Sequence, residues 1–184
     1  MTEELVVEKK VSTKKRTRKW PSPLKLDIGC GLNTKKPLEE WVHLDMDEGP
    51  HIELVTDFAN IPMDDDSVDE IWIGDVIEHI PLWRRDEVFT EWKRVLKKDG
   101  ILAGTTPNLE HNIKQYNSRE IDLNWLLQNL YGDRSGPGHQ HYIIFTPATL
   151  SELLLKNGFY GVDLSGSPGA KDDPWWLVFK AKLS

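Results

Sequence analysis

The chain has 184 residues, 39% hydrophobic and 29% charged, enough for one domain with a sizeable core. Net charge is −7; the first nineteen residues carry +4, which leaves −11 on the rest. A body that acidic repels polyanions and argues against general duplex binding, and no apolar run approaches the ~20 residues that span a bilayer.

In chain order, "MTEELVVEKKVSTKKRTRK" reads as a solvated, mobile basic arm (residues 1–20) without the apolar core of a secretory signal. The remaining domain, 21–184, opens with strand Leu24–Ile28 running into a glycine loop. "WVHLDMD" (41–47) is a second strand, "IELV" (52–55) a third and "DEIWIG" (69–74) a fourth. In "RRDEVFTEWKRVLKKDG", Val88, Trp92, Val95 and Leu96 share one helix face, basic residues fill the last turn, and Gly100 is the expected stop. "GILAGTTP" (100–107) is a fifth strand, "SREIDLNWLLQNLY" (118–131) a helix, and "GDRSGPGHQHY" a loop. Thr146 caps a last helix with Pro147 at its first position, turning Leu150, Leu153 and Leu154 inward until Gly158. "FYGVDL" and "WWLVFKAKL" close the chain as a hairpin. Alternating strands and helices predict an α/β, Rossmann-like doubly wound sheet, mostly parallel, with an antiparallel C-terminal hairpin at one edge.

Ligands of such sheets sit beyond the carboxyl ends of the strands. The first such end is "LKLDIGCGLNT", where Asp27 precedes Gly29 and Gly31, so a ligand can lie against bare backbone amides. A dinucleotide site wants a third glycine for close packing near the pyrophosphate, and here that position is Thr34, which weakens an NAD reading. Asp45 ends the second strand, where a carboxylate can accept both hydroxyls of a ribose. Asp57 follows the third, placed to accept from an adenine amine, with Phe58 for the ring face.

"LDIGCG", "HLD", "TDFANIPMDDDSVDEIW", "IEH" and "LKKDGILAGTTPN" together resemble a class I S-adenosylmethionine-dependent methyltransferase, of the type 11 methyltransferase-domain family. The likeness runs from about Leu24 to Ala181. It implies Gly29, Cys30 and Gly31 at the methionine and ribose, Asp45 and Met46 at the ribose and adenine, Asp57 and Phe58 at the adenine, and Gly74 and Asp75 near the methionine end. A nucleoside sulfonium has no pyrophosphate, so the third glycine has no task. One departure is that twelve residues, Gly29 to Glu40, separate the first two strands, where the family usually has a full helix; "KPLEE" leaves room for about two turns. Trp20 is expected to pack over the gap, and the loop carrying His139 and His141 to close the acceptor side.

Methyl transfer from sulfonium needs alignment and, for an oxygen or nitrogen acceptor, a base. His141 and His79 are the catalytic candidates; His139 and the weaker His111 follow. Asp75, Glu78 and His79 also fall at i, i+3, i+4, a spacing that can hold a divalent ion with His139 or His141 as the fourth ligand, although no metal is assigned on that pattern alone. Trp72 and Trp92 are expected in the core; Trp83, Trp125 and the Trp175–Trp176 pair can line an acceptor pocket or a dimer face, with core or hairpin packing favoured for the pair. The expected function is methylation of a small-molecule or saccharide-like acceptor. The rivals are a metal-assisted O-methyltransferase on a nucleic-acid end or catechol-like group, and a non-catalytic cofactor-binding partner subunit. No membrane or nucleic-acid partner is expected, save a possible role of the basic tail. Cys30 as the only cysteine points to a reducing cytoplasm, and the sequence carries no signal of oligomeric state.

Overall fold

The computed structural model describes residues 12–13, 19–32, 34, 36–133, 138–166 and 175–184. Its strands are β1 (Ser12–Thr13), β2 (Lys25–Ile28), β3 (Trp41–Asp45), β4 (Leu54–Val55), β5 (Val68–Gly74), β6 (Leu96–Pro107), β7 (Phe159–Gly166) and β8 (Trp176–Leu183). They form one sheet in the order β1-β4-β3-β2-β5-β6-β8-β7. From β4 to β6 every pairing is parallel, whereas β8 runs antiparallel to both β6 and β7. The chain winds outward from β2 through β3 to β4, then returns to start again at β5. Right-handed crossovers travelling in opposite directions lie on opposite faces, so the sheet is doubly wound and its ligand crevice opens between β2 and β5.

The central strands read as buried runs because helices or loops cover both faces. Leu26, Asp27 and Ile28 of β2 are all buried, as are Trp41 to Leu44 of β3. Helix α1 (Arg85–Val95) buries Val88, Phe89, Trp92 and Val95, and the Trp92 ring N–H donates to the Phe58 carbonyl at 3.1 Å. The other helices are α2 (Leu109–Asn117), α3 (Leu123–Tyr131) and α4 (Pro147–Lys156). Thr146 caps α4 with a reciprocal bond to Thr149, Pro147 opens the helix, and Leu150 and Leu154 are buried. Among the described residues no helix is long and apolar enough to cross a membrane.

Several elements differ from the sequence reading. Among the described residues of the crossover after the glycine loop, the Glu40 and Trp41 amides both donate to the Pro37 carbonyl, at 3.1 and 3.0 Å, a single turn within the limit of about two that the sequence set. Trp20 is partly buried against the core. α1 stops at Val95 instead of Gly100, because Leu96 turns extended and pairs with Val68, while Lys97 reaches Asp69 at 2.6 Å. The helix expected over 118–131 starts only at Leu123, where Asp122 caps it, and Asn108 starts a further helix ahead of it. Asp75 to His79 is not an α-helix: a 3-10 turn spans Ile77–His79. The last strand lies inside the sheet, with β7 at the edge. At the other edge, Ser12 and Thr13 of the arm pair with Val55 and Leu54. Most of the remaining arm, and the "SGSPGAKDDP" turn beyond Gly166, fall outside the described residues.

Candidate functional site

The glycine loop is built to keep side chains away. Gly29 has φ +65°, and a Cβ there would lie 2.5 Å from Val76 Cγ2. That position needs glycine for both conformation and space. Gly31, at φ +57°, faces open space. Its N–H donates to Asp45 Oδ2 at 2.8 Å, and the Asp47 amide donates to Oδ1 at 3.0 Å. His51 Nε2 donates to the Gly31 carbonyl at 2.8 Å. Asp45 thus ties the first two strand ends together and keeps lone pairs for further donors, since a carboxylate has about four acceptor sites.

A buried polar group supports this loop from beneath. Asp27 accepts from Thr34 Oγ1 at 2.5 Å and lies 3.5 Å from His43 Nε2, the residue opposite it on β3. The position where a dinucleotide site would have its third glycine is used to cap Asp27. Burial pushes the Asp27 carboxyl up to about 6, against the pull of Thr34. The His43 ring in turn meets His51 edge-on at 5.5 Å. Neither His43 nor His51 stood out in the sequence. The available signal was register: Asp27 and His43 oppose each other on adjacent parallel strands, just before the strand ends.

At the third strand end, Phe58 faces the cavity but Asp57 does not line it. Both Asp57 oxygens accept from Arg84, at 2.8 Å each, and the Ala59 amide donates to Oδ1. The Arg84 guanidinium sits 5.4 Å from the Phe58 ring centroid, so Asp57 acts on Phe58 through the arginine held over it. Arg84 was not singled out by sequence, since its partner lies 27 residues away.

The opposite wall comes from distant segments. Asp75 takes φ +54°, and its carboxylate accepts from Thr105 Oγ1 at 3.1 Å and from the Trp176 ring. Trp176 is therefore more than hairpin packing. Glu78 is wholly buried; its Oε2 accepts from Thr106 Oγ1 at 3.0 Å, and Oε1 has no hydrogen-bond partner among the described residues. Burial, and then the nearby Asp75 charge, push its carboxyl up to about 8. The Tyr142 amide donates to the Glu78 carbonyl at 2.8 Å, which brings the His139–Tyr142 strip against the 3-10 turn. His79 Nδ1 donates to the Gln140 carbonyl at 3.0 Å, and His141 Nδ1 donates to the Asn129 carbonyl at 2.9 Å. The two imidazoles meet edge-to-face at 4.7 Å, and burial lowers both pKa values, which keeps them neutral at physiological pH. His139 lies 3.5 Å from Asp133, and His111 packs on Trp175 at 4.5 Å, away from this pair.

These walls enclose a cavity of about 450 Å³. Of the expected residues, Gly29, Gly31, Asp45, Met46, Phe58, Asp75 and His79 line it, together with Gly138 and His139. Asp27, Cys30, Asp57, Gly74 and His141 are not among its lining residues. Burial pushes the Cys30 thiol up to about 12, so it stays protonated. Gly74 packs on Trp72, whose ring also carries the Lys36 ammonium at 3.7 Å; Trp72 is half-buried, whereas Trp92 is fully buried.

The strand order and the glycine–acid series at successive strand ends coincide with a family assignment. Residues 26–104, from β2 into β6, match the family model described as a methyltransferase domain. That matched segment, 79 of the 184 residues, carries the glycine loop and Asp27, Asp45, Asp57 and Asp75. Solved structures agree in fold. A protein from Pyrococcus horikoshii superposes with a TM-score of 0.60 at 17% identity, over 88% of this chain and 82% of that one. A possible histamine N-methyltransferase from Thermotoga maritima gives 0.59 at 16%, over 89% and 83%. The Burkholderia thailandensis 1,6-didemethyltoxoflavin-N1-methyltransferase, solved with S-adenosylhomocysteine and 1,6-didemethyltoxoflavin, gives 0.56 at 14%, over 88% and 71%. No curated protein matches the chain. The bare Gly31 backbone beside Asp45 fits a ligand that brings hydroxyls and no phosphate.

Proposed function

We propose that this chain is a class I S-adenosylmethionine-dependent methyltransferase and transfers a methyl group to a small, polar, saccharide-like acceptor. The observation that carries the reading is one continuous cavity running from Asp45 and Phe58, suited to a nucleoside, to His79 and the strip bearing His139. A volume of about 450 Å³ suits small ligands. Gly29 and Gly31 lay backbone along the cofactor, Asp45 and Met46 take its ribose side, Phe58 stacks on the adenine, and Asp75 borders the methionine end. S-adenosylmethionine supplies an activated methyl when bound.

His141 and His79 form the acceptor side. Each gives its Nδ1 hydrogen to a carbonyl, so each keeps an Nε2 lone pair able to take a proton. Trp83 is three-quarters exposed and meets Tyr142 edge-on at 5.4 Å, offering an apolar ring beside these histidines of the kind that stacks on a sugar. The acidic body disfavours polyanionic acceptors. The absence of any possible intrachain disulfide supports a cytoplasmic setting, and we read the chain as an arm (1–20) and one catalytic domain (21–184).

Calorimetric titration with S-adenosylmethionine, S-adenosylhomocysteine and NAD tests the cofactor half; the first two should bind and NAD should not. Mass spectrometry of a sugar, phenol and amine panel after incubation tests the acceptor half. Preferential NAD binding would overturn the reading, and methylation confined to amines would remove the saccharide assignment.

A further inference from the structure

We propose that Glu78, His79 and His141 form a binding site for one zinc-class divalent cation at the acceptor end of the cavity. One ligand atom from each lies within 4.8 Å of the other two. The sequence pointed to Asp75, Glu78 and His79 with His139 or His141 as the fourth ligand; the fold turns Asp75 toward Thr105 and Trp176 and brings His141, 62 residues after His79, to the remaining pair.

Three independent features point to a ligand. Glu78 is fully buried and its Oε1 has no hydrogen-bond partner among the described residues, while Oε2 is oriented by Thr106. A buried carboxylate oxygen left unmatched is costly, and a cation is the partner that cures it. Each imidazole donates its Nδ1 hydrogen to a backbone carbonyl, which fixes the tautomer and leaves Nε2 for a metal, the usual outer support of ligating histidines. The three donors also ride on connected backbone, because the Tyr142 amide bonds the Glu78 carbonyl.

Donor chemistry selects the ion. Two imidazoles and one carboxylate suit Zn²⁺, with Co²⁺ and Mn²⁺ as substitutes, and suit Mg²⁺ or Ca²⁺ poorly. Metal–ligand bonds of about 2.0–2.2 Å at tetrahedral angles put donors roughly 3.4 Å apart, so loading draws the cluster, whose ligand atoms lie within 4.8 Å of one another, together by up to about 1.4 Å. Three protein ligands leave a coordination position for an acceptor oxygen. His79 also lines the cavity, which places the ion at its wall. The inference rests on the methyltransferase reading for the ion's role toward an acceptor hydroxyl, not for binding itself. In the loaded protein the imidazoles hold the ion, and coordination rather than free imidazole makes the hydroxyl acidic.

The test is Co²⁺ titration of the full, chelator-stripped chain, followed by visible absorption, Zn²⁺ competition and elemental analysis, with S-adenosylhomocysteine affinity measured in parallel. One equivalent should bind with a tetrahedral-type band and raise the melting temperature, whereas Mg²⁺ should leave it unmoved. His141→Ala and Glu78→Gln should each weaken Co²⁺ at least tenfold, with His111→Ala unchanged. If Glu78→Gln fails to fold, His141→Ala decides. Absence of saturable Co²⁺ or Zn²⁺ binding in a chain that binds S-adenosylhomocysteine overturns the site, as does binding indifferent to His141→Ala. Cation binding without S-adenosylhomocysteine binding supports the site and breaks the functional reading instead.

Discussion

The two ends of the cavity are assembled in different ways. The cofactor end uses three successive strand ends tied by short-range polar bonds: Gly31 to Asp45 across 14 residues, and His51 to Gly31 across 20. The acceptor end joins Glu78 and His79 to a strip some 60 residues later, through main-chain bonds to Gln140 and Tyr142. Strand ends at a switch point are fixed by the sheet, so a nucleoside can be recognised with few specialised side chains. The acceptor chemistry hangs on a loop that the sheet does not dictate, which is where related folds can change substrate.

Five measurements can break or sharpen that contrast. The largest effect should come from His141→Ala, which removes an acceptor-side group while sparing the cofactor end. Turnover should fall by roughly 10²-fold or more with S-adenosylhomocysteine affinity within about twofold. An equal loss of cofactor binding would show that the two ends are not separate.

Gly29→Ala combines the cost of positive φ with overlap against Val76, roughly 2–4 kcal/mol of stability in urea unfolding. Gly31→Ala meets no neighbour and should show only the conformational part, about 1–2 kcal/mol. Equal losses at the two positions would contradict the packing argument.

Asp45→Ala should weaken S-adenosylhomocysteine by roughly 1–3 kcal/mol in calorimetry, because it loses ribose contacts and frees the Gly31 amide. A folded variant with unchanged affinity removes Asp45 from the site.

Asp27 predicts a pH dependence with a defined sign. Its folded pKa, about 6, lies above the ordinary 3.8, so the fold favours the protonated form. This contribution is present below pH 3.8 and is lost as pH rises toward 6, with a ceiling on the order of 3 kcal/mol. Asp27→Asn should flatten the difference in unfolding free energy between pH 4 and 6.5; a parallel profile for both proteins would contradict the shift.

The smallest effect belongs to Asp57→Ala. It frees Arg84 from a half-exposed pair, so stability should change by about 1 kcal/mol or less and cofactor affinity by about twofold. A tenfold loss of affinity would return Asp57 to direct adenine contact.

The sequence by itself determined the strand–helix alternation, the glycine loop, and the place of Asp45 and Phe58 at strand ends that line the cavity. Each follows from local rules: hydrophobic period, glycine conformation, and acids at strand ends. Register also lay within reach, since Asp27 and His43 oppose each other on neighbouring strands. Only the tertiary structure decided the rest. It bound Asp57 to Arg84, turned Asp75 toward Trp176, ended α1 at Val95 because Leu96 found a strand partner, and set His141 against His79. Those outcomes depend on which distant backbone reaches a group first, and sequence spacing does not encode that competition.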